Sequence, residues 1–397
     1  MAVPTVWLRP RKAAPSINRH PWVFVGSVGR IDGMPAPGVV VRVVTVEGEF
    51  VAWGLFNPES AIRVRLYSWK EEEPLSDEFF ADRVARAIAS RVGLFGNGPE
   101  LRACRLISSE GDHLSGLTVD RYGDHLLMQW TSLALFQRER RIASRLQELL
   151  QPAGIWRRTD TGVMDKEGLP PVDGLVCGRE PPSDLIVTEH GVQYRVDIRH
   201  GQKTGFYFDQ RDNRLAVAKL CDGRKVLDVC CYSGGFALTA LARGGAAQVT
   251  GVDGSASAIE LAQGNAQRNG LAERATFVKS DAWTFLEQAR KRGERYDVVI
   301  LDPPKLAKSR TQLDAALRGY HGLNTLALGV LEPGGLLATC SCSGLVLRTE
   351  FEMVLADAAL SADRPLRIID SRGAAPDHPV SVHCPESGYL KCVLCLG

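Results

Sequence analysis

The sequence predicts an α/β protein: a doubly wound parallel sheet in the C-terminal half, preceded by a small all-β module and an α+β segment. Three observations carry this expectation. Short β-branched runs separated by turn signals fill Val39 to Trp69; mixed strand and helix periodicity follows; and from Leu185 onward apolar strands alternate with helical segments. Strands apolar on both faces and joined by helical crossovers require a parallel sheet covered by helices.

The first module comprises VVVRVVTV, EFVAWGLF and AIRVRLYSW, divided by Glu47-Gly48 and Asn57-Pro58. The charge run KEEEP (Lys70–Pro74) ends it, so the module spans residues 1–72. A helical pattern through FFADRVARAIASRVGLF opens the middle domain, 73–184. There LRACRLIS, LSGLTVDRY and HLLMQW read as strands, with Tyr122-Gly123-Asp124 as a hairpin signal, and a helix is expected from about Phe136 to Leu150. GREPPSD (Gly178–Asp184) reads as a linker to the third domain, 185–397. That domain holds KVLDVCCY, QVTGVDG, ATFVKSD, YDVVILDPP, GGLLATCSCS, RPLRIIDS and GYLKCVLCLG, enough for a sheet of about seven strands.

Composition narrows the functional class. With 397 residues, 45% hydrophobic and 24% charged, the chain has room for two or three cores and is not disordered. It lacks an apolar run of about 18 residues, and MAVPTVWLRPRK places its charges after the apolar stretch, unlike a secretory signal. A cytoplasmic protein without a membrane partner is expected. The ten cysteines show no framework spacing, and Cys392 and Cys395 form a lone CxxC inside a hydrophobic strand, so neither disulfides nor a metal is expected. Residues 1–70 carry nine Lys/Arg against four Asp/Glu, a modest basic bias suited to phosphate contacts.

In a doubly wound sheet the ligand lies beyond the carboxyl ends of the strands, so the residues there carry the chemistry. They are Asp228 followed by Tyr232-Ser233-Gly234-Gly235, then Asp253, then Ser280-Asp281, then Asp302-Pro303-Pro304-Lys305. VLDVCCYSGGF is not GxGxxG, and an acid at its strand end repels a pyrophosphate. A cationic cofactor reverses that argument. S-adenosyl-L-methionine tolerates a carboxylate near its sulfonium and ammonium, Asp253 is spaced to accept from the ribose hydroxyls, and Asp281 can accept from the adenine amine. Four acids at successive strand ends are hard to assign to packing alone.

The fifth strand carries Cys340 and Cys342 at period two. Cytosine C5 is too weak a nucleophile to take a methyl group unaided; a thiolate adding at C6 generates the enamine that can. Asp302 could hold the base and stabilise the charge that develops. A methyltransferase working on exocyclic amines would carry an aromatic after Asp-Pro-Pro, where this chain has Lys305. An adenine or guanine amino-methyltransferase, a non-enzymatic RNA-binding protein and a nicotinamide oxidoreductase are the alternatives.

FVAWGLFNPESAIRVR, GDHLSGLTVDRYGDHL and DIRHGQKTGFYFDQRDNR resemble stretches of the bacterial 23S rRNA cytosine-5 methyltransferases that carry an N-terminal PUA domain. The resemblance covers nearly the whole chain. It implies a PUA-like RNA-binding module, a Rossmann-like methyltransferase domain, S-adenosyl-L-methionine as cofactor, 5-methylcytosine as product, and 23S rRNA or a large-subunit precursor as partner. It also makes Gln210 and Arg211 cofactor-side residues, DPPK the substrate loop and SCSG the carrier of the nucleophile. Six residues separate Gly335 from Cys342, the glycine-to-nucleophile spacing of related cytosine-5 enzymes, which favours Cys342. Cys340 departs from the family pattern and leaves a second thiol to consider. The oligomeric state, a homodimer included, stays open.

Overall fold

The computed structural model describes residues 3–397 except 160, 200, 202–204 and 308. The chain divides into two compact units. The first comprises Met1–Leu185, Val196–Phe206 and Pro376–Ser387; the second comprises Ile186–Arg195, Tyr207–Ala375 and Gly388–Gly397.

In the first unit, β1 (Thr5–Leu8), α1 (Ala14–Ile17), β2 (Trp22–Phe24), β3 (Val28–Asp32), β4 (Val40–Val44), β5 (Phe50–Phe56) and β6 (Ile62–Ser68) form the N-terminal module. Its six-stranded sheet has the order β2-β6-β5-β4-β1-β3. After it come α2 (Asp77–Phe95), β7 (Ala103–Ser108), β8 (Leu117–Tyr122), β9 (His125–Trp130), α3 (Leu133–Phe136), α4 (Glu139–Leu150), β10 (Gly154–Thr159), α5 (Thr161–Glu167) and β11 (Gly174–Gly178). The strands form a second sheet, β11-β10-β9-β8-β7. Its β8–β9 hairpin turns on Gly123, whose φ of 63° is easily reached only without a Cβ. Ser76 starts α2 by accepting from the Phe79 amide.

One core joins these two parts: Trp53, Leu55 and Tyr67 of the first sheet pack with Phe80 and Val84 of α2 and with Leu117 and Trp130 of the second sheet. A buried ion network lies beside it. Arg65 reaches Glu110 at 3.3 Å, Glu167 at 3.2 Å and Ser115 Oγ at 3.0 Å, while Ser60 donates to Glu167 at 2.5 Å.

The second unit begins with the hairpin β12 (Ile186–Glu189) and β13 (Val192–Arg195), followed by α6 (Arg211–Ala218). The alternating part runs β14 (Lys225–Val229), α7 (Gly235–Gly244), β15 (Gln248–Asp253), α8 (Ala256–Arg268), β16 (Ala275–Lys279), α9 (Ala282–Lys291), β17 (Tyr296–Leu301) and α10 (Leu313–Val330). It closes with β18 (Leu331–Ser341), α11 (Arg348–Ser361), β19 (Arg367–Arg372) and β20 (Lys391–Leu396). The seven strands are ordered β16-β15-β14-β17-β18-β20-β19, with β20 antiparallel to both neighbours and the first five parallel. This is the Rossmann-like fold expected. The order reverses between β14 and β17, and the loops after these two strands meet there. No helix among the described residues is long and apolar enough to cross a membrane.

Candidate active site

The expected strand-end acids all lie in the second unit, around the switch point. Asp228, in β14, is 1% exposed. Its Oδ2 accepts from the Ala237 amide at 3.0 Å, in the first turn of α7, whereas its Oδ1 has no hydrogen-bond partner among the described residues. Burial pushes its carboxyl up to about 7, against the pull of the Ala237 amide and with repulsion from Asp302 and Asp253 added. A desolvated carboxylate with an unmatched oxygen suits a cationic ligand.

Between β14 and α7 the chain passes through Cys230, Tyr232 and Gly234 at φ of 65°, 47° and 80°. Left-handed backbone at two non-glycine residues costs free energy and concentrates at ligand sites. Asp253 ties this loop down: Oδ2 accepts from the Tyr232 amide at 3.0 Å and Oδ1 from the Ser255 amide at 2.9 Å. Each carboxylate oxygen retains a second lone pair for a ribose hydroxyl. Ser280 donates its amide to the Asp253 carbonyl at 3.0 Å and its hydroxyl to the Asp281 carbonyl. Asp281 caps α9, Oδ1 accepting from Trp283 and Thr284 at 3.0 and 3.2 Å. Part of the acidic pattern therefore has a local structural reason as well.

Gln210 and Arg211 stand at the start of α6, both buried. The Gln210 Oε1 accepts from Asn213 Nδ2 at 2.6 Å, and its amide lies beside the Cys340 thiol. The neighbouring Asp209 accepts from the Tyr389 hydroxyl at 2.6 Å. Arg214, paired with Glu189 of β12 through both carboxylate oxygens at 2.8 and 2.9 Å, donates to the Tyr207 carbonyl at 2.8 Å. Tyr207 packs edge-on to Tyr232, ring centroids 5.4 Å apart, in the electrostatic reach of Asp302 and Cys342. Of the Asp197–Arg214 stretch, His200 and residues 202–204 lie outside the described residues.

Asp302, half-buried, follows β17 and donates its amide to the Val229 carbonyl at 3.2 Å. The two cysteines expected on one face differ sharply. Strand pairing between β18 and β20 ends at Ser341↔Lys391, so Cys342 lies just beyond the ladder while Cys340 is held opposite Cys392 and has no exposure. The contact with Cys392, and then burial, pushes the Cys340 thiol well up. Burial does the same to Cys230 and Cys231. Cys342 is half-buried, its Sγ 4.0 Å from the Pro303 carbonyl oxygen of the DPPK loop.

Three residues that sequence reasoning passed over shape this corner. The Tyr320 hydroxyl of α10 meets Ser341 Oγ and Ser343 Oγ, each at 3.0 Å, fixing the residues on both sides of Cys342. Ser343 Oγ accepts from the Ala307 amide at 3.2 Å, joining the segment to the end of the DPPK loop. Lys391 and Tyr207 complete the set. A lysine inside the otherwise apolar VLCL strand was the signal for the first, and an aromatic beside Asp209-Gln210-Arg211 for the second.

In the first unit His20, Cys384 and Glu386 place possible metal-ligating atoms within 4.8 Å of one another. The Trp22 amide donates to His20 Nδ1, which leaves the ring proton on Nε2, facing Glu386 Oε2 at 3.4 Å. That is a hydrogen bond rather than a ligand pair.

Residues 173–385 match the S-adenosylmethionine-dependent methyltransferase family, and residues 6–69 match the PUA-like domain. The chain is 42% identical over 389 residues to the ribosomal RNA large subunit methyltransferase I of Tolumonas auensis, covering 98% of each chain. It is 43% identical over 378 residues to the protein of that name from Aeromonas hydrophila, covering 94% of each. Among solved structures, one assigned as a SAM-dependent methyltransferase from Streptococcus mutans superposes over 100% of both chains with TM-score 0.84 and 21% identity. A second methyltransferase structure, complexed with SAH, gives TM-score 0.85 at 21% identity, again over the full length of both chains. The family match over residues 173–385 and the relatives matched over nearly the full chain lead to one conclusion: the chain belongs to the S-adenosylmethionine-dependent methyltransferases, in the family of the ribosomal RNA large subunit methyltransferase I proteins.

Proposed function

We propose that this enzyme methylates C5 of a cytosine in 23S rRNA, with Cys342 as nucleophile and Asp302 holding the base. The observation that carries this reading is the placement of Cys342: it is the half-buried thiol of the SCSG segment, beside Pro303 of the substrate loop, whereas Cys340 is sealed against Cys392.

The residues around Asp228 fit the cofactor. Its unmatched Oδ1 faces a cation more favourably than an anion, Asp253 and Asp281 keep acceptor capacity for ribose and adenine, and Gly234 gives the loop its left-handed turn. Gln210, Arg211, Tyr232 and Ser280 complete the cofactor side. S-adenosyl-L-methionine supplies an electrophilic methyl group at its sulfonium.

The Cys342 thiolate adds to C6, forming an S–C6 bond and pushing an electron pair through C5 and C4 toward N3. Asp302 in its acid form donates its O–H to N3 while its other oxygen accepts from the exocyclic amine, and the developing charge is neutralised as that proton moves to N3. C5 is thereby made nucleophilic. After methylation water takes the C5 proton, the S–C6 bond breaks with its electron pair returning to sulfur, and N3 gives its proton back to the Asp302 carboxylate.

RNA as substrate follows from the relatives' names, the PUA-like domain and the exposed cations Arg9, Arg11, Lys12 and Arg19 around α1. A bacterial rRNA substrate places the enzyme in the cytoplasm. The test is RNA carrying tritium at cytosine C5: methylation at C5 releases tritium in step with methyl incorporation. Methyl incorporation with tritium retained would overturn the C5 assignment in favour of an exocyclic amine.

A further inference from the structure

Lys391 opens β20 opposite Ser341 and is 4% exposed. Its Nζ donates to the Ser343 carbonyl at 2.6 Å and to the Tyr389 carbonyl at 2.8 Å. Burying an ammonium is costly, and a methionine would fill this strand position without that cost. Two backbone carbonyls do not neutralise its charge. Among the described residues, the charged and titratable groups acting on Lys391 include Cys342 beyond β18, Arg348 and Glu350 at the start of α11, and Lys305 of the DPPK loop, with Cys342 foremost. Those acting from other elements on Cys342 include Tyr207 before α6 and Tyr320 of α10, neither of them cationic.

We propose that Lys391 is the positioning and charge-balancing residue of Cys342: its ammonium fixes the backbone directly after the nucleophile and offsets the charge of the thiolate. This rests on the reading of Cys342 as nucleophile. The ammonium transfers no proton. When the S–C6 bond forms, sulfur gives up its negative charge to the base; when that bond breaks, the electron pair returns to sulfur beside Lys391. The cation therefore favours both the attacking thiolate and its departure. Desolvation pulls the ammonium down to about 8, with Cys342 and Glu350 opposing, and Arg348 and Lys305 adding to, that shift. Near neutral pH the ammonium is predominantly charged.

The test needs neither RNA nor cofactor. Full-length protein is alkylated with iodoacetamide across a pH series, and modification of Cys342 is followed by mass spectrometry of its peptide, with fragmentation separating it from Cys340. Lys391→Gln keeps a donor for the Ser343 carbonyl but removes the charge. We expect the pH midpoint of Cys342 alkylation to rise by about one unit in Lys391→Gln, slowing alkylation near neutral pH roughly tenfold, and Lys391→Arg to restore most of the shift. Methylation by Lys391→Gln should fall at pH 7 and recover toward pH 9, with KM for the cofactor unchanged. A Lys391→Gln midpoint equal to wild type overturns the charge role. Equal midpoints in the Gln and Arg variants, both raised, also overturn it, since loss of packing rather than of charge is then the cause. The nucleophile reading fails separately, if Cys342→Ala retains methylation.

Discussion

One oxygen of Asp228 accepts the Ala237 amide at 3.0 Å and the other, in a buried site, meets no hydrogen-bond partner among the described residues. Capping the first turn of α7 with a carboxylate is favourable, yet burial outweighs it and raises the carboxyl to about 7. Because the folded state then holds its proton more tightly than the unfolded chain, stability is lost as pH rises through the window from the ordinary carboxylate value to about 7. That rise corresponds to roughly 4 kcal/mol, fully imposed only above the window.

Asp228→Asn removes this penalty. Without cofactor, its apparent Tm should exceed wild type at pH 8, with the difference shrinking steadily as pH falls and vanishing only near pH 4 or below, as read by differential scanning fluorimetry. Cofactor affinity at pH 8 should fall by about tenfold or more, since a charge-assisted contact is lost, and calorimetry reads this directly. A variant that is less stable at pH 8 would contradict the assignment of Asp228 as a strained cofactor carboxylate.

Arg65 is the shared cation of Glu110 and Glu167 in the first unit. Arg65→Ala leaves two buried carboxylates uncompensated and should cost roughly 3–5 kcal/mol, seen as an earlier denaturation transition. Arg65→Ala combined with Glu110→Gln and Glu167→Gln should recover much of the loss.

The exposed Arg11 and Lys12 precede α1. Replacing both by alanine should raise KM for RNA and reduce the salt slope of RNA binding by about two, measured by filter binding between 50 and 200 mM salt. Cofactor affinity should be unchanged.

Much of this architecture was legible in the sequence because periodicity reports burial. The alternation from KVLDV to YDVVIL reads as strands covered on both faces, and the parallel sheet follows. The antiparallel placement of β20 between β18 and β19 was not legible, since strand order is set by long-range pairing rather than by local pattern. Nor was the return of residues 376–387 to the first unit. In the site, the acids announced themselves at strand ends, but period two grouped Cys340 with Cys342 because it assumes that the strand continues. The ladder stops at Ser341, and one residue separates a sealed thiol from one beside the DPPK loop. Lys391 lay hidden in an apolar run whose pattern says strand and nothing of what the lysine faces.

The central claim is a covalent bond between Cys342 and a cytosine. RNA containing 5-fluorocytidine blocks loss of the C5 substituent, so the adduct cannot resolve. Incubated with enzyme and cofactor, it should give a species stable on denaturing gels whose modified peptide carries the base on Cys342; Cys340→Ala should form it and Cys342→Ala should not, with methylation falling on the order of a thousandfold or more in the latter. An active enzyme that forms no adduct, or an adduct mapped to Cys340, would contradict it.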